Sequence, residues 1–257
     1  MSIRNSIAFV TGGNSGLGKA CVDRFLQNGI KGVLAFDLSS PSASKNEQLL
    51  SVQGDVASEA DVKHALDLCS KQFGEFPRIV VNCAGIAPSV RVLSSKPPHT
   101  PHALDLFEKV LRVNVIGTFN VLRLTSEKMV AQDLKDNDGQ RGVIINTASI
   151  AAFDGQIGQI AYSASKGAIA SMCLPAARDL ANQGIRVVTM APGVFNTPMV
   201  AALPEPAKAS LAKQIPFPSR LGNPDEFADF VLFGIIDNVM LNGEIIRFDG
   251  ALRMGPR

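Results

Sequence analysis

The sequence predicts an α/β fold: a single doubly wound domain in which a parallel sheet carries helices on both faces. Three observations lead there. Short β-branched runs alternate along the whole chain with longer amphipathic stretches, the pattern that βαβ units produce. The first run ends in a glycine-rich turn, Thr11-Gly12-Gly13-Asn14-Ser15-Gly16-Leu17-Gly18, that opens a helical stretch. The 257 residues, 46% hydrophobic and 19% charged, are enough for one large core.

Each element follows in order. Residues 7–10 read as a strand and 17–28 as a helix ended by Gly29. Residues 33–36 and 50–53 are the next two strands. Residues 59–73 have helical spacing, with Val62, Ala65, Leu66, Cys69 and Phe73 on one face. Residues 79–81 form a strand, 104–130 a long helix and 143–146 a strand. A helix over 159–181 and a strand over 185–190 come next. A helix over 225–236, capped by Asn223-Pro224, and a strand over 244–248 complete the chain. Crossovers between parallel strands are expected to be right-handed. Two segments break the rhythm. Residues 90–102 are rich in Ser, Pro and His, and 196–222 hold five prolines around a helix-like piece at 205–213. Long irregular segments of this kind serve as lids or binding loops. The polar stretch 133–140 reads as a solvated turn.

Composition excludes several function classes. A formal net charge of +2 leaves no footprint for nucleic acid or an anionic membrane. The longest apolar stretch, 227–236, is interrupted by Asp229 and falls short of the roughly 20 residues a membrane span needs. The first strand starts so early that a signal peptide or Arg-rich transit segment is not expected. Cys21, Cys69, Cys83 and Cys173 are scattered, without a CxxC pair, and read as free thiols in a reducing compartment. His99 and His102 stand among prolines with no Cys or carboxylate cluster, so no metal is expected.

The glycine turn is weak evidence alone, since any tight turn uses glycine. Its context sharpens it. Gly12, Gly16 and Gly18 let backbone N–H groups approach a pyrophosphate, and the helix beginning near Leu17 points its positive end at that anion. Asp37 stands 19 positions after Gly18, at the end of the second strand. A carboxylate there accepts from both adenosine ribose hydroxyls and repels a 2′-phosphate. Neither Ser15 nor Leu38 is basic, so the cofactor reads as NAD rather than NADP. The alternative is that Asp37 only caps the turn into Ser39-Ser40-Pro41. Asp55-Val56 after the third strand could hold the adenine. Cys83-Ala84-Gly85 after the fourth are small enough for close backbone approach to a ribose.

The chain has one tyrosine against fourteen phenylalanines. In Ala161-Tyr162-Ser163-Ala164-Ser165-Lys166, Tyr162 and Lys166 are four apart on a helical stretch and share a face. A cation about 4 Å from the phenol contributes roughly 4 kcal/mol at an effective dielectric near 20. That is expected to lower the phenol pKa by nearly three units, toward working pH. Ser149, thirteen residues before Tyr162, can bind an oxygen on which charge develops. The alternative is a phenol that satisfies a backbone carbonyl and a surface lysine.

"TGGNSGLG", "NCAG", Ser149, "YSASK" and "APG" together resemble the short-chain dehydrogenase/reductase family, and the resemblance spans the chain. It implies a Rossmann-type domain with a seven-stranded sheet. It implies that Tyr162 is the acid/base, that Lys166 also holds the nicotinamide ribose, and that Ser149 orients the substrate oxygen. Asn114 would support a proton-relay water through a kink in the long helix. Most members have Asn where this chain has Cys83, which leaves only a backbone contact to the ribose.

Longer stretches, among them "IPFPSRLG" and "LNGEIIRFDGALRM", resemble a mitochondrial subgroup of that family that acts on 3-hydroxyacyl-CoA thioesters and shares "NCAG". This implies NAD contacts at Ser15, Leu17, Asp37, Asp55 and Val56, at Cys83, Tyr162, Lys166 and Phe195, and on the same side at Pro192 and Thr197. It implies a homotetramer and a mitochondrial location without a cleaved presequence. The expected reaction interconverts a short-chain or 2-methyl-branched 3-hydroxyacyl-CoA and its 3-ketoacyl-CoA. The acyl group is expected under residues 196–222, with the thioester against Gln156, Gln159 and the loop after Val90, and the CoA tail making only weak solvated contacts. Rival readings are a hydroxysteroid or general alcohol dehydrogenase, and a subunit of a mitochondrial tRNA-processing complex with a tRNA methyltransferase partner.

Overall fold

Alternate residues of the strands feed two separate cores, one on each face of a seven-stranded sheet, in the computed structural model of the chain. The structure describes residues 2–40, 45–132, 134–201 and 204–256. The strands are β1 (Ile7–Thr11), β2 (Gly32–Asp37), β3 (Leu49–Gln53), β4 (Ile79–Asn82), β5 (Gly142–Thr147), β6 (Ile185–Pro192) and β7 (Ile245–Phe248). All pairings are parallel, in the order β3-β2-β1-β4-β5-β6-β7. Ala8, Val10, Val33, Ala35, Val81 and Ile145 face one core, and Ile7, Phe9, Leu34, Phe36, Val80 and Ile144 the other. A strand covered on both faces has no polar side to show, which is why these runs read as continuous apolar stretches.

The first core packs against α1 (Gly16–Gln27) and α8 (Pro224–Asp229). The second packs against α2 (Glu59–Phe73), α4 (Gly117–Ala131) and α5 (Ile160–Leu180). α2 begins and ends where expected: the Ser58 hydroxyl accepts from Asp61 N, and Gly74 closes the helix in the left-handed conformation. Asn223 and Glu226 form a capping box at α8.

Two helices contain π turns that periodicity does not predict, the first at the Asn114 kink that the family resemblance implies. The helix over 104–130 is interrupted: α3 (Leu104–Leu111) and α4 are joined by a π turn over Arg112–Ile116. The helix over 225–236 becomes a π stretch at Phe230–Ile236. Amphipathic spacing does not distinguish i→i+4 from i→i+5 bonding over a single turn. Residues 196–222 contain α6 (Pro198–Ala201) and α7 (Glu205–Lys213), the latter with the bounds expected; Ala202 and Leu203 lie outside the described residues. In the turn over 133–140, Asp133 also lies outside them, and the Asp136 carboxylate accepts from Asp138 N and Gln140 N. Among the described residues no helix is long and apolar enough to cross a membrane.

Candidate active site

The strand order reverses between β1 and β4: the chain moves outward through β2 and β3, then returns to pair β4 with the other side of β1. The carboxyl ends of β1 and β4 therefore splay, and a crevice opens at that point. The glycine turn lines it. Gly12 sits at φ +65°, and a Cβ there would meet Ala84 N at 3.0 Å, so the turn and the β4 exit lie in backbone contact. A Cβ on Gly18 would lie 2.2 Å from Gly12 O. Ser15 places no side-chain cap on the first turn of α1. Those N–H groups, with the helix dipole behind them, suit the pyrophosphate of a dinucleotide.

The other cofactor candidates gather at this end of the sheet. Asp37 ends β2; its Oδ2 accepts from Asn14 N at 3.1 Å, and its Oδ1 accepts from Ser39 N at 3.0 Å and Ser39 Oγ at 2.9 Å. The turn-capping role considered above is therefore present, and the same carboxylate ties the glycine turn to β2. Asp55 caps its own turn at Ala57 N, 2.8 Å. The carbonyl of buried Val56 accepts from Asn120 Nδ2 at 2.8 Å. Cys83 N and Ala84 N both donate to Thr11 Oγ1 at 3.1 Å, which fixes the β4 exit. Gly85 places its Cα hydrogens beside Asn114 Oδ1, where a Cβ would come to 3.1 Å. Thr197 reaches the glycine turn: a Cβ on Gly16 would meet Thr197 Cγ2 at 3.4 Å. Pro192 ends β6. Phe195 is buried, its ring stacked 5.9 Å from Phe248, so only its backbone is available to a ligand.

Ser149, Tyr162 and Lys166 converge beyond β5. Ser149 caps a short 3-10 turn over Ile150–Ala152, accepting from Ala151 N at 3.1 Å. The Ser149 hydroxyl lies close enough to the Tyr162 phenol to oppose, in part, the effect of burial on it. Lys166, 5% exposed, donates from Nζ to Thr147 O at 2.6 Å. Asn114 is buried in the π turn. Its Nδ2 donates to Ile86 O and to Ser165 Oγ, each at 2.9 Å, and its Oδ1 accepts from Ile86 N at 2.8 Å. It thus clips the β4 exit to α5. Its own carbonyl accepts from Thr118 Oγ1 at 2.7 Å.

Comparison with known proteins decides the family. Residues 6–208 match the family model described as short chain dehydrogenase. The chain belongs to the short-chain dehydrogenase family. It is 51% identical to the 3-hydroxyacyl-CoA dehydrogenase type-2 of Drosophila melanogaster, over 99% of this chain and 100% of that protein. Its identity to the Homo sapiens protein of the same name is 50%, over 99% and 98%. The crystal structure of 3-hydroxyacyl-CoA dehydrogenase type-2 from Mycobacterium avium superposes with a TM-score of 0.86 at 35% identity, covering 99% of this chain and 98% of that one.

This member of the family departs from one expectation. Lys166 does not lower the phenol pKa here. Burial pushes the Tyr162 pKa up, against the opposing effect of the Ser149 hydroxyl. The Lys166 ammonium lies 5.7 Å from the ring centroid and is engaged by Thr147 O. Its own pKa is pushed down to about 8 by burial, so it is a weaker cation than assumed. Gln156 and Gln159 face each other in the loop before α5 rather than standing free. Gln159 Oε1 accepts from Gln156 N at 3.0 Å, and Gln156 Nε2 donates to Gly255 O at 3.0 Å. Sequence reasoning missed Thr11, Thr147 and Ser165. Each acts through a bond that only the packed elements define, although Thr147 lies beside Ser149 in "NTASI".

The lysine carries a pH signature. Its ordinary pKa of 10.5 drops to about 8 on folding, so between those values the unfolded chain holds the extra proton. Stability then rises with pH across that window, by up to about 1.4 kcal/mol per unit. Urea unfolding from about pH 7 to about pH 10 is expected to show the native protein gaining about 3 kcal/mol on Lys166→Met. A difference that stays constant with pH would contradict the buried-lysine shift.

Proposed function

We propose that this chain is an NAD-dependent oxidoreductase that interconverts short-chain or 2-methyl-branched 3-hydroxyacyl-CoA and 3-ketoacyl-CoA thioesters. The observation that carries the reading is Ser149 beside Tyr162, with the Lys166 ammonium 5.7 Å from the phenol ring and held by Thr147 O, near the crevice lined by the glycine turn. The names of the relatives supply the substrate class.

The glycine-turn N–H groups, Asp37 and Lys166 would hold the dinucleotide, which would supply the hydride acceptor or donor for the reaction. Ser149 orients the substrate oxygen, and Tyr162 gives that oxygen a proton in ketone reduction or takes it in alcohol oxidation. With its pKa raised, the phenol stays protonated at neutral pH, the form that reduction needs. Lys166 and Asn114 keep α5 and the β4 exit in register through Thr147 O, Ile86 and Ser165 Oγ. Residues 196–222 close over the acyl group. The root of this lid is pinned, because Asn196 N donates to Gly222 O at 2.8 Å and Gly222 N to Val194 O at 3.0 Å. Asp37, with non-basic Leu38 beside it, supports NAD over NADP. Gln156 and Gln159 form the polar wall toward the thioester. The homotetramer and mitochondrial location belong to the same proposal, and exposed Leu104, Ile116 and Phe119 support assembly.

The test is a steady-state screen of acetoacetyl-CoA and its 2-methyl homologue against steroid ketones, each with NADH and NADPH. The thioesters with NADH are expected to give the highest kcat/KM, by at least about tenfold. A steroid reduced more efficiently than every thioester would transfer the assignment to a hydroxysteroid dehydrogenase.

A further inference from the structure

A cavity of about 490 Å³, within the size range of small-ligand sites, lies between two loops and is lined by Ser89, Arg91, Ile157 and Gly158. One wall follows the β4 exit. The other belongs to the loop that joins Ser149 to Tyr162. Val90 N donates to Gly158 O at 2.8 Å and holds the walls together. A side chain at 158 would meet Ser89 Oγ at 2.7 Å, so glycine is what permits this approach. Gly158 immediately precedes Gln159, the residue that caps α5, and Tyr162 lies in the first turn of that helix. The cavity therefore borders the loop that leads into the helix carrying Tyr162.

Its chemistry is uneven. Ile157 is 53% exposed and, with the bare Gly158 backbone, offers an apolar strip. Arg91 is exposed at the rim and makes no hydrogen bond or ion pair among the described residues. Asp154, the acid on the facing loop, does not neutralise it, because Arg247 holds that carboxylate at 2.6 Å. An apolar strip leading to an unpaired guanidinium suits a ligand with an amide-and-alkyl arm that ends in phosphate.

The geometry points to this cavity as the subsite for the phosphopantetheine end of the substrate, with Arg91 contacting a phosphate. This rests on the acyl-CoA reading above and replaces the expectation of only weak, solvated contacts to the CoA tail. Arg91 sets preference for the carrier and takes no part in the chemistry at the reacting carbon.

The test compares acetoacetyl-CoA with the acetoacetyl thioester of N-acetylcysteamine, which has the same reacting carbon and no phosphate. Arg91→Gln is expected to raise KM for the CoA thioester about tenfold, the scale of one charge-assisted hydrogen bond at a partly exposed site. The kcat values and the KM for the truncated thioester stay unchanged. Arg91→Lys recovers part of the loss, and added salt narrows the gap between the native protein and Arg91→Gln. An unchanged KM for the CoA thioester, or an equal rise for both thioesters, overturns the proposal while leaving the proposed function standing. A native protein that reduces steroids and neither thioester overturns both.

Discussion

Tyr162→Phe is expected to lower turnover at least about a hundredfold, the low end for loss of a general acid/base. It should leave the fold and dinucleotide binding close to native. The substitution removes one oxygen, which sits beside the Ser149 hydroxyl, and no hydrogen bond that holds the fold. Ser149 keeps its bond from Ala151 N, and Lys166 keeps Thr147 O. The chain has no second tyrosine to take over its role. Kinetics in both directions, with NADH titration and thermal unfolding as controls, measure this. Turnover within tenfold of native would overturn the mechanism.

Gly18→Ala is expected to damage both the fold and the cofactor site. The added Cβ would lie 2.2 Å from Gly12 O, 2.7 Å from Gly12 C and 3.0 Å from Thr11 O, all backbone atoms that cannot turn aside. To relieve this, α1 must move away from the end of β1, although Ala20, Cys21, Val22 and Phe25 anchor it in the core. We expect a loss of about 3 kcal/mol, the upper end for overpacking, and dinucleotide affinity reduced at least about tenfold because the first-turn N–H groups are displaced. Gly167→Ala is the control: a Cβ there meets only Ala152 O, at 4.0 Å, and should be tolerated. Urea unfolding and NADH titration of the two variants decide the matter; indistinguishable behaviour would count against the close approach of α1 to the turn.

Much of the fold was legible because its signals are local. The five central strands, buried along nearly all their length, left continuous apolar runs, the half-buried edge strands β3 and β7 left shorter ones, and Ser58 and Gly74 marked the ends of α2. The single tyrosine, four residues from a lysine, was legible as chemistry because phenylalanine packs as well and lacks only the hydroxyl. The π turn at Arg112–Ile116 was not legible from periodicity, because it shifts a hydrogen bond by one residue without changing which face is apolar. The direction of the Tyr162 pKa shift was also missed. Spacing placed a cation on the same helical face, but burial of the phenol and capture of Lys166 by Thr147 O depend on how α5 packs over β5.

The sequence by itself determined the order of strands and helices along the chain, the glycine turn, the acid at the end of β2 and the pairing of a lone tyrosine with a lysine four residues on. These follow from residue type and short spacing, which act within a few turns of the chain. Only the tertiary structure decided that β4 lies beside β1 and opens the crevice, that Thr197 reaches Gly16, that Asn114 ties the β4 exit to Ser165, and that Arg91 stands across from Ile157. These are contacts between distant segments. Their distances are set by how the two cores pack on either face of the sheet, which no local pattern records.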